Sequence, residues 1–282
     1  MENELIWLHS SVFSGKENWH RILEQIQIFI DLWKPQHCIK EFRLEFNYLS
    51  GENIRFSILC RDDFKQLIAK KLDEYFTEFF LRADLSVRKQ ALPVNGVFLT
   101  HPANTIRYGL YDIVNGNPET EQINVVLSSS IIQALCHEPI DEESILTFAF
   151  YLYAGTLKAF RNCNKVFDGT LHYANLFNAI RADQIDIEIV KNKYEESKYL
   201  LSEIFDEIMR GIHIGPWLDS WILTCETEIK RRSGPLSSQE DGLTQIGSGF
   251  INSIYKHLGI SENMKLMLDF FMNETLKETL NQ

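Results

Sequence analysis

No segment of this sequence approaches 18 uninterrupted apolar residues, which leaves no candidate for a membrane-spanning helix. The opening MENELIWLHSS carries acidic residues and no apolar signal core, so a soluble, unsecreted, cytoplasmic protein without a membrane partner is expected. Dense runs of Lys or Arg are missing too. With a net charge of −11, non-specific attraction to a polyanion is disfavoured, and no direct nucleic-acid binding is expected. The five cysteines, Cys38, Cys60, Cys136, Cys163 and Cys225, are scattered and never spaced as C-x-x-C, so they indicate neither a disulfide framework nor a zinc site. There is no G-x-S-x-G elbow, and the glycines of residues 231–249 match neither a P-loop nor a dinucleotide fingerprint, because no strand feeds them. No metal and no cofactor is therefore expected. Prolines number only 7, while hydrophobic residues make up 45% and aromatics 12%, a composition that can bury a sizeable core.

What the chain does contain is periodicity. Residues 5–13 read as a strand. Trp19, Ile22, Leu23, Ile26, Phe29, Ile30 and Trp33 follow the three-and-four spacing of an amphipathic helix that Pro35 stops. Residues 42–60 alternate around Ser50-Gly51 as a β-hairpin, with Phe42, Leu44, Phe46, Tyr48, Ile54, Phe56, Ile58 and Cys60 toward the core. A helix capped by Asp62 or Asp63 follows, then a loop over 92–104 around a short VFLT strand, then an alternating strand over 105–114. Beyond the Asn115-Gly116-Asn117-Pro118 turn the pattern turns helical: 119–136, 141–160, 186–210 up to Gly211, and 217–231 after Pro216. Residues 231–249 read as a connector, and helices at 247–258 and 261–280 close the chain. The expected fold is α+β, an N-terminal mixed or antiparallel sheet with packed helices followed by a mainly helical C-terminal half. We expect one two-lobed domain, with a sheet-containing lobe over 1–115 and a mainly helical lobe over 116–282.

The hairpin's second face carries Arg43, Glu45, Asn47, Arg55 and Ser57, and a mid-strand arginine needs either solvent or an anionic partner. Arg107 repeats the situation in the strand over 105–114, on the side opposite Ile106, Tyr108 and Leu110 and together with Gly109 and Tyr111. His9, His20, His37, His137 and His172 have no partner at ligand spacing and read as surface or satisfied core residues. The serine run 128–130 reads as helix packing.

These patterns, taken in order, resemble the C-terminal domain of lantibiotic dehydratases, the family also called thiopeptide-type bacteriocin biosynthesis proteins. The tryptophan-containing strand and helix from Trp7 to Trp33 match its start. Ile54-Arg55-Phe56-Ser57-Ile58 is similar to the family's His-Leu-Arg-Leu-Arg strand and keeps its central arginine. Ile106-Arg107-Tyr108-Gly109 resembles its Glu-x-x-Arg-Tyr-Gly-Gly motif, without the acid. Near the C-terminus Asn252 stands where the family has a histidine, leaving His257, His213 or His101 to supply acid–base chemistry.

The resemblance implies maturation of a ribosomally made peptide. The first expectation is elimination of glutamate from glutamylated Ser or Thr, working with a separate glutamylating dehydratase subunit on a precursor peptide. Arg55, Arg107 and His257 are then the expected catalytic residues, and Arg43, Tyr108 and Asn252 the expected substrate-binding ones. Arginine suits both tasks that the chemistry sets, steadying an enolate-like oxygen and holding a departing carboxylate. Two alternatives stand beside it: a cycloaddition that joins two dehydroalanines into a six-membered nitrogen ring, and a non-catalytic peptide-binding subunit.

Overall fold

The computed structural model describes residues 4–85, 101–111, 118–163, 165, 187–232 and 240–280. The expected VFLT strand, the turn at 115–117 and His172 lie outside these. Internal contacts divide the chain into two compact units, Met1–Glu142 and Glu143–Gln282.

In the first unit, strands β1 (Leu5–Phe13), β2 (Glu41–Asn47), β3 (Asn53–Arg61) and β4 (Thr105–Tyr108) form one antiparallel sheet in the order β2-β3-β1-β4. Helices α1 (Trp19–Trp33) and α2 (Lys65–Arg82) pack on the face formed by Val12, Phe42, Leu44, Phe46, Ile54, Phe56 and Ile58. The expected stripe of α1 is buried from Trp19 to Ile30, and at about 1.5–3 kcal/mol per large apolar side chain this face supplies much of the unit's stability. Trp19 stacks against Phe46 (4.6 Å) and donates its indole N–H to Ser14 O. Tyr48, expected on the core side, is 43% exposed because β2 ends at Asn47.

Helix α3 (Pro118–Leu135) lies along β2. The Ser128 hydroxyl accepts from the Leu44 N–H (2.8 Å) and donates to Asn124 O, so one amide on the outer edge of β2 is satisfied by a helix side chain. Packing is thus the role of Ser128, as the sequence suggested. Strand β4 is shorter than the alternation implies. It stops at Tyr108 because Gly109 turns at φ +69°, a conformation that an L side chain rarely adopts.

The second unit is built from helices α4 (Glu142–Asn162), α5 (Ile187–Arg210), α6 (Pro216–Arg232), α7 (Glu240–His257) and α8 (Glu262–Leu280). Gly211 ends α5 at φ +80° and Pro216 opens α6, as expected. The expected connector over 231–249 is corrected in its second half, since α7 already runs from Glu240. Gly242, Gly247 and Gly249 each cost the helix about 1 kcal/mol, but Ile246, Phe250, Ile251, Ile254 and Tyr255 form a buried stripe that outweighs them. In all, the structure is α+β, with an N-terminal antiparallel sheet and a mainly helical C-terminal half.

Inside this unit Asp269 is buried on α8 and accepts a hydrogen bond from the Tyr255 phenol. Burial raises its pKa to about 7, against the opposing pull of the Tyr255 hydrogen bond and Lys265. The folded value lies above the unfolded one of about 4, so between these the native state holds a proton that the unfolded chain has released. Stability should therefore fall as pH rises from about 4 to about 7 and level off above. In urea titrations, Asp269→Asn should overtake wild type across that window by on the order of a few kcal/mol, and parallel curves for the two proteins would refute the assignment.

Candidate functional site

The pairing register decides which side chains share the second face of the sheet. Ser11 on β1 faces Arg55 across β3 and Arg107 across β4, and Arg55 in turn faces Glu45 on β2. Glu45, Arg55, Ser11 and Arg107 thus form one row across all four strands, with the two arginine backbones two strand spacings, or about 10 Å, apart. The next row holds His9, Ser57 and Arg43. Both sequence-selected arginines therefore lie on one face and in one row.

Their surroundings differ. Arg43 is 5% exposed. Its guanidinium reaches Glu121 of α3 (3.1 Å) and sits 4.2 Å from the Trp7 ring centre. Burial draws its pKa down, and Glu121, Glu45 and Glu41 oppose the shift. Arg55 is half-buried: Nη1 lies 3.6 Å from Glu45 Oε2, and the guanidinium carbon lies 4.4 Å over the Tyr111 ring. Arg107 is exposed and forms no salt bridge among the described residues. Ser11, 2% exposed, lies between Arg55 and Arg107 in the row.

Tyr111 knits this face together. After the turn at Gly109 its ring returns over Arg55, its hydroxyl donates to Ser10 O (3.0 Å) and contacts Ser57 Oγ (3.0 Å), and its ring centre lies 5.5 Å from that of His9. Burial pushes the Tyr111 phenol above its ordinary pKa. His9 Nδ1 meets Ser57 Oγ at 3.0 Å. A cation over an aromatic ring, a serine and an imidazole are therefore contiguous. Sequence reading missed His9 by treating it as an isolated histidine, although it shares the parity of Ser11 in β1.

The other expected site residues lie elsewhere. Tyr108 belongs to the opposite face, where its hydroxyl donates to Ala69 O of α2 (2.9 Å) and burial raises its pKa. Asn252 and His257 belong to the second unit. Asn252 is exposed on α7, whereas His257 is 1% exposed and hydrogen-bonds Ser253 O through Nδ1 (2.9 Å). Of the remaining histidines considered, His101 packs on Phe13 (4.7 Å), and His213 contacts Asp219 (2.6 Å) in the second unit. That unit also has a cavity of about 240 Å³ lined by Lys158, Ile208, Leu218, Ile222 and Glu226. Its lysine donates to Met209 O (2.6 Å), closing the end of α5 rather than facing a ligand. We favour the sheet face over this cavity as the site, because Arg55, Tyr111, Ser57 and His9 are in contact there and Arg107 shares their face. Among the described residues no group of His, Cys, Asp or Glu is arranged to hold a metal ion, and no helix is long and apolar enough to cross a membrane.

No family model matches the sequence, and no curated protein does. Solved structures do. TbtD, a pyridine synthase from thiomuracin biosynthesis, superposes with a TM-score of 0.74 at 13% identity, over 96% of this chain and 98% of the synthase. The chain has the fold of a pyridine synthase. TsrL is similar over 99% of this chain and 96% of its own, with a TM-score of 0.66 and 9% identity. The tRNA-dependent lantibiotic dehydratase MibB from Microbispora sp. 107891 gives a TM-score of 0.57 at 11% identity. There the likeness spans 98% of this chain but only 28% of the dehydratase.

Arg43 and Arg107 should separate by substitution. Arg43→Ala removes a buried cation that pairs with a half-exposed carboxylate and should cost about 2–4 kcal/mol of stability in urea titration. Arg107→Ala should stay within about 0.5 kcal/mol of wild type. Equal costs would contradict the difference in burial between the two side chains.

Proposed function

We propose that this chain matures a ribosomally made precursor peptide by joining two dehydroalanines into a six-membered nitrogen ring. The observation that carries the reading is full-length likeness to a pyridine synthase, 96% of one chain against 98% of the other, whereas the dehydratase is matched over about a quarter of its length. The chemistry agrees with the residues available. Ring closure between two alkenes of one peptide gains chiefly from holding them together, which can remove on the order of 7–11 kcal/mol of barrier. It also needs hydrogen-bond donors for a developing negative oxygen. Arg107 and Arg55, in one row, are suited to that role.

A second reading, elimination of glutamate from glutamylated Ser or Thr, is favoured by the same arginine row, since a guanidinium holds a departing carboxylate in two-pronged fashion. It requires a separate glutamylating dehydratase subunit to prepare the precursor peptide. Against its usual acid–base residue stand the exposed Asn252 and the deeply buried His257. In either reading the protein works in the cytoplasm, which suits five free thiols.

The test uses two synthetic peptides, one with two dehydroalanines and one with a glutamylated serine. Ring formation consumes both alkenes, so the first peptide should lose its capacity to add thiols. Loss of the mass of one glutamic acid from the second peptide would instead establish elimination. A protein that binds either peptide and changes neither is a binding subunit, and the catalytic proposal fails. Arg107→Ala should lower turnover by about 100-fold, the usual worth of one oxyanion donor, without shifting the thermal midpoint.

A further inference from the structure

The hydrogen bonds around His9 form a chain whose direction is fixed from one end. Tyr111 Oη donates to Ser10 O, and since a carbonyl only accepts, the phenol's single hydrogen is used there. Burial keeps that phenol protonated. Toward Ser57 Oγ, 3.0 Å away, the Tyr111 oxygen can then only accept, so Ser57 donates. The hydrogen of Ser57 is spent in turn, and toward His9 Nδ1 its oxygen accepts. Nδ1 must carry a hydrogen. In neutral His9 the lone pair therefore resides on Nε2.

We propose that His9 is the acid–base residue of the arginine face, acting through Nε2, with Ser57 and Tyr111 as positioning residues that hold its tautomer. This rests on the peptide-modifying reading above. Three observations carry it. His9 lies two residues from Ser11 on the same face of β1, roughly 7 Å along the strand from the row that holds Arg55 and Arg107. One aromatic ring, Tyr111, touches both His9 and the Arg55 guanidinium. And protonation at Nε2 leaves Nδ1 its hydrogen, so the bond from Nδ1 to Ser57 persists in both imidazole and imidazolium.

The proton balance closes in the ring-forming reaction. Nε2 takes the N–H proton of the dehydroalanine amide that enters the ring, and the imidazolium returns a proton to the amide oxygen, whose negative charge Arg107 or Arg55 steadies meanwhile. The amide has become its imidic tautomer, His9 is neutral again, and nothing has been oxidised or reduced. In the elimination reaction the same nitrogen takes the Cα proton while the Cβ–O bond breaks and its electron pair leaves with the glutamyl carboxylate.

The experiment uses the full chain labelled with 15N-histidine, and His9→Asn identifies the His9 signals by their disappearance. Long-range 1H–15N spectra should give neutral His9 as the Nδ1–H tautomer. Tyr111→Phe keeps the ring over Arg55 but removes the phenol, and should turn His9 into a mixture of tautomers. An Nε2–H tautomer in the wild type overturns the proposal whatever the substrate. In the two-peptide assay His9→Asn should lower turnover by about 100-fold or more with KM nearly unchanged. If His9→Asn fails to fold, as judged by its thermal midpoint, His9→Gln replaces it. An active wild type with an equally active variant overturns the role of His9 and leaves the function standing. A wild type inactive on both peptides overturns the function and the role together.

Discussion

Strand β1 is hydrogen-bonded along both sides, to β3 and to β4, and its register in these two ladders governs everything on the arginine face. Because side chains alternate with a period of two, a slip of one residue in either pairing would carry Arg55 or Arg107 to the side occupied by helices α1 and α2. Such a slip is strongly opposed. It would pull Val12, Ile54 and Phe56, all fully buried, out of the core and drive guanidinium groups into it. The positions of polar groups on one face are thus enforced by apolar burial on the other.

The arginines of that face illustrate how surroundings divide one residue type among different tasks. Arg43, covered by α3, has exchanged water for Glu121 and the Trp7 ring and has become part of the scaffold. Arg55, held between Glu45 and Tyr111, is oriented but still partly open to solvent. Arg107 meets water directly. An oriented donor and an accessible one together can grip a developing charge, because the first loses little freedom on binding and the second is not spent on an internal partner.

Much of this was legible in the sequence because it follows from period alone. The alternation over 42–60 correctly assigned Phe42, Leu44, Phe46, Ile54, Phe56, Ile58 and Cys60 to the core, and the spacing from Trp19 to Ile30 marked a buried helix stripe. What period cannot give is which strand lies beside which. That Ser11 stands between Arg55 and Arg107, that Glu121 reaches Arg43 from a helix some eighty residues on, and that His9 meets Ser57 all depend on the order β2-β3-β1-β4. Tyr108 read as a binding residue through motif adjacency to Arg107, yet neighbours in a strand point to opposite faces, and it serves α2 instead. The start of α7 was obscured by glycines whose local cost is outweighed by burial that only the folded chain exhibits.

The Ser128 hydroxyl, bonded to the Leu44 N–H, has a bearing on colloidal behaviour. An outer strand with open amides is a template on which another copy of the same sheet can be laid down, and repetition of that step builds a fibre. On the β2 side a helix occupies the position where the first such strand would register, and one of the amides it would need is already engaged. Growth from that side would require α3 to be lifted away first, with Arg43 and Glu121 parted in the process. A helix tied to β2 by a serine and an ion pair thus shields that side of the sheet from strand-by-strand polymerisation.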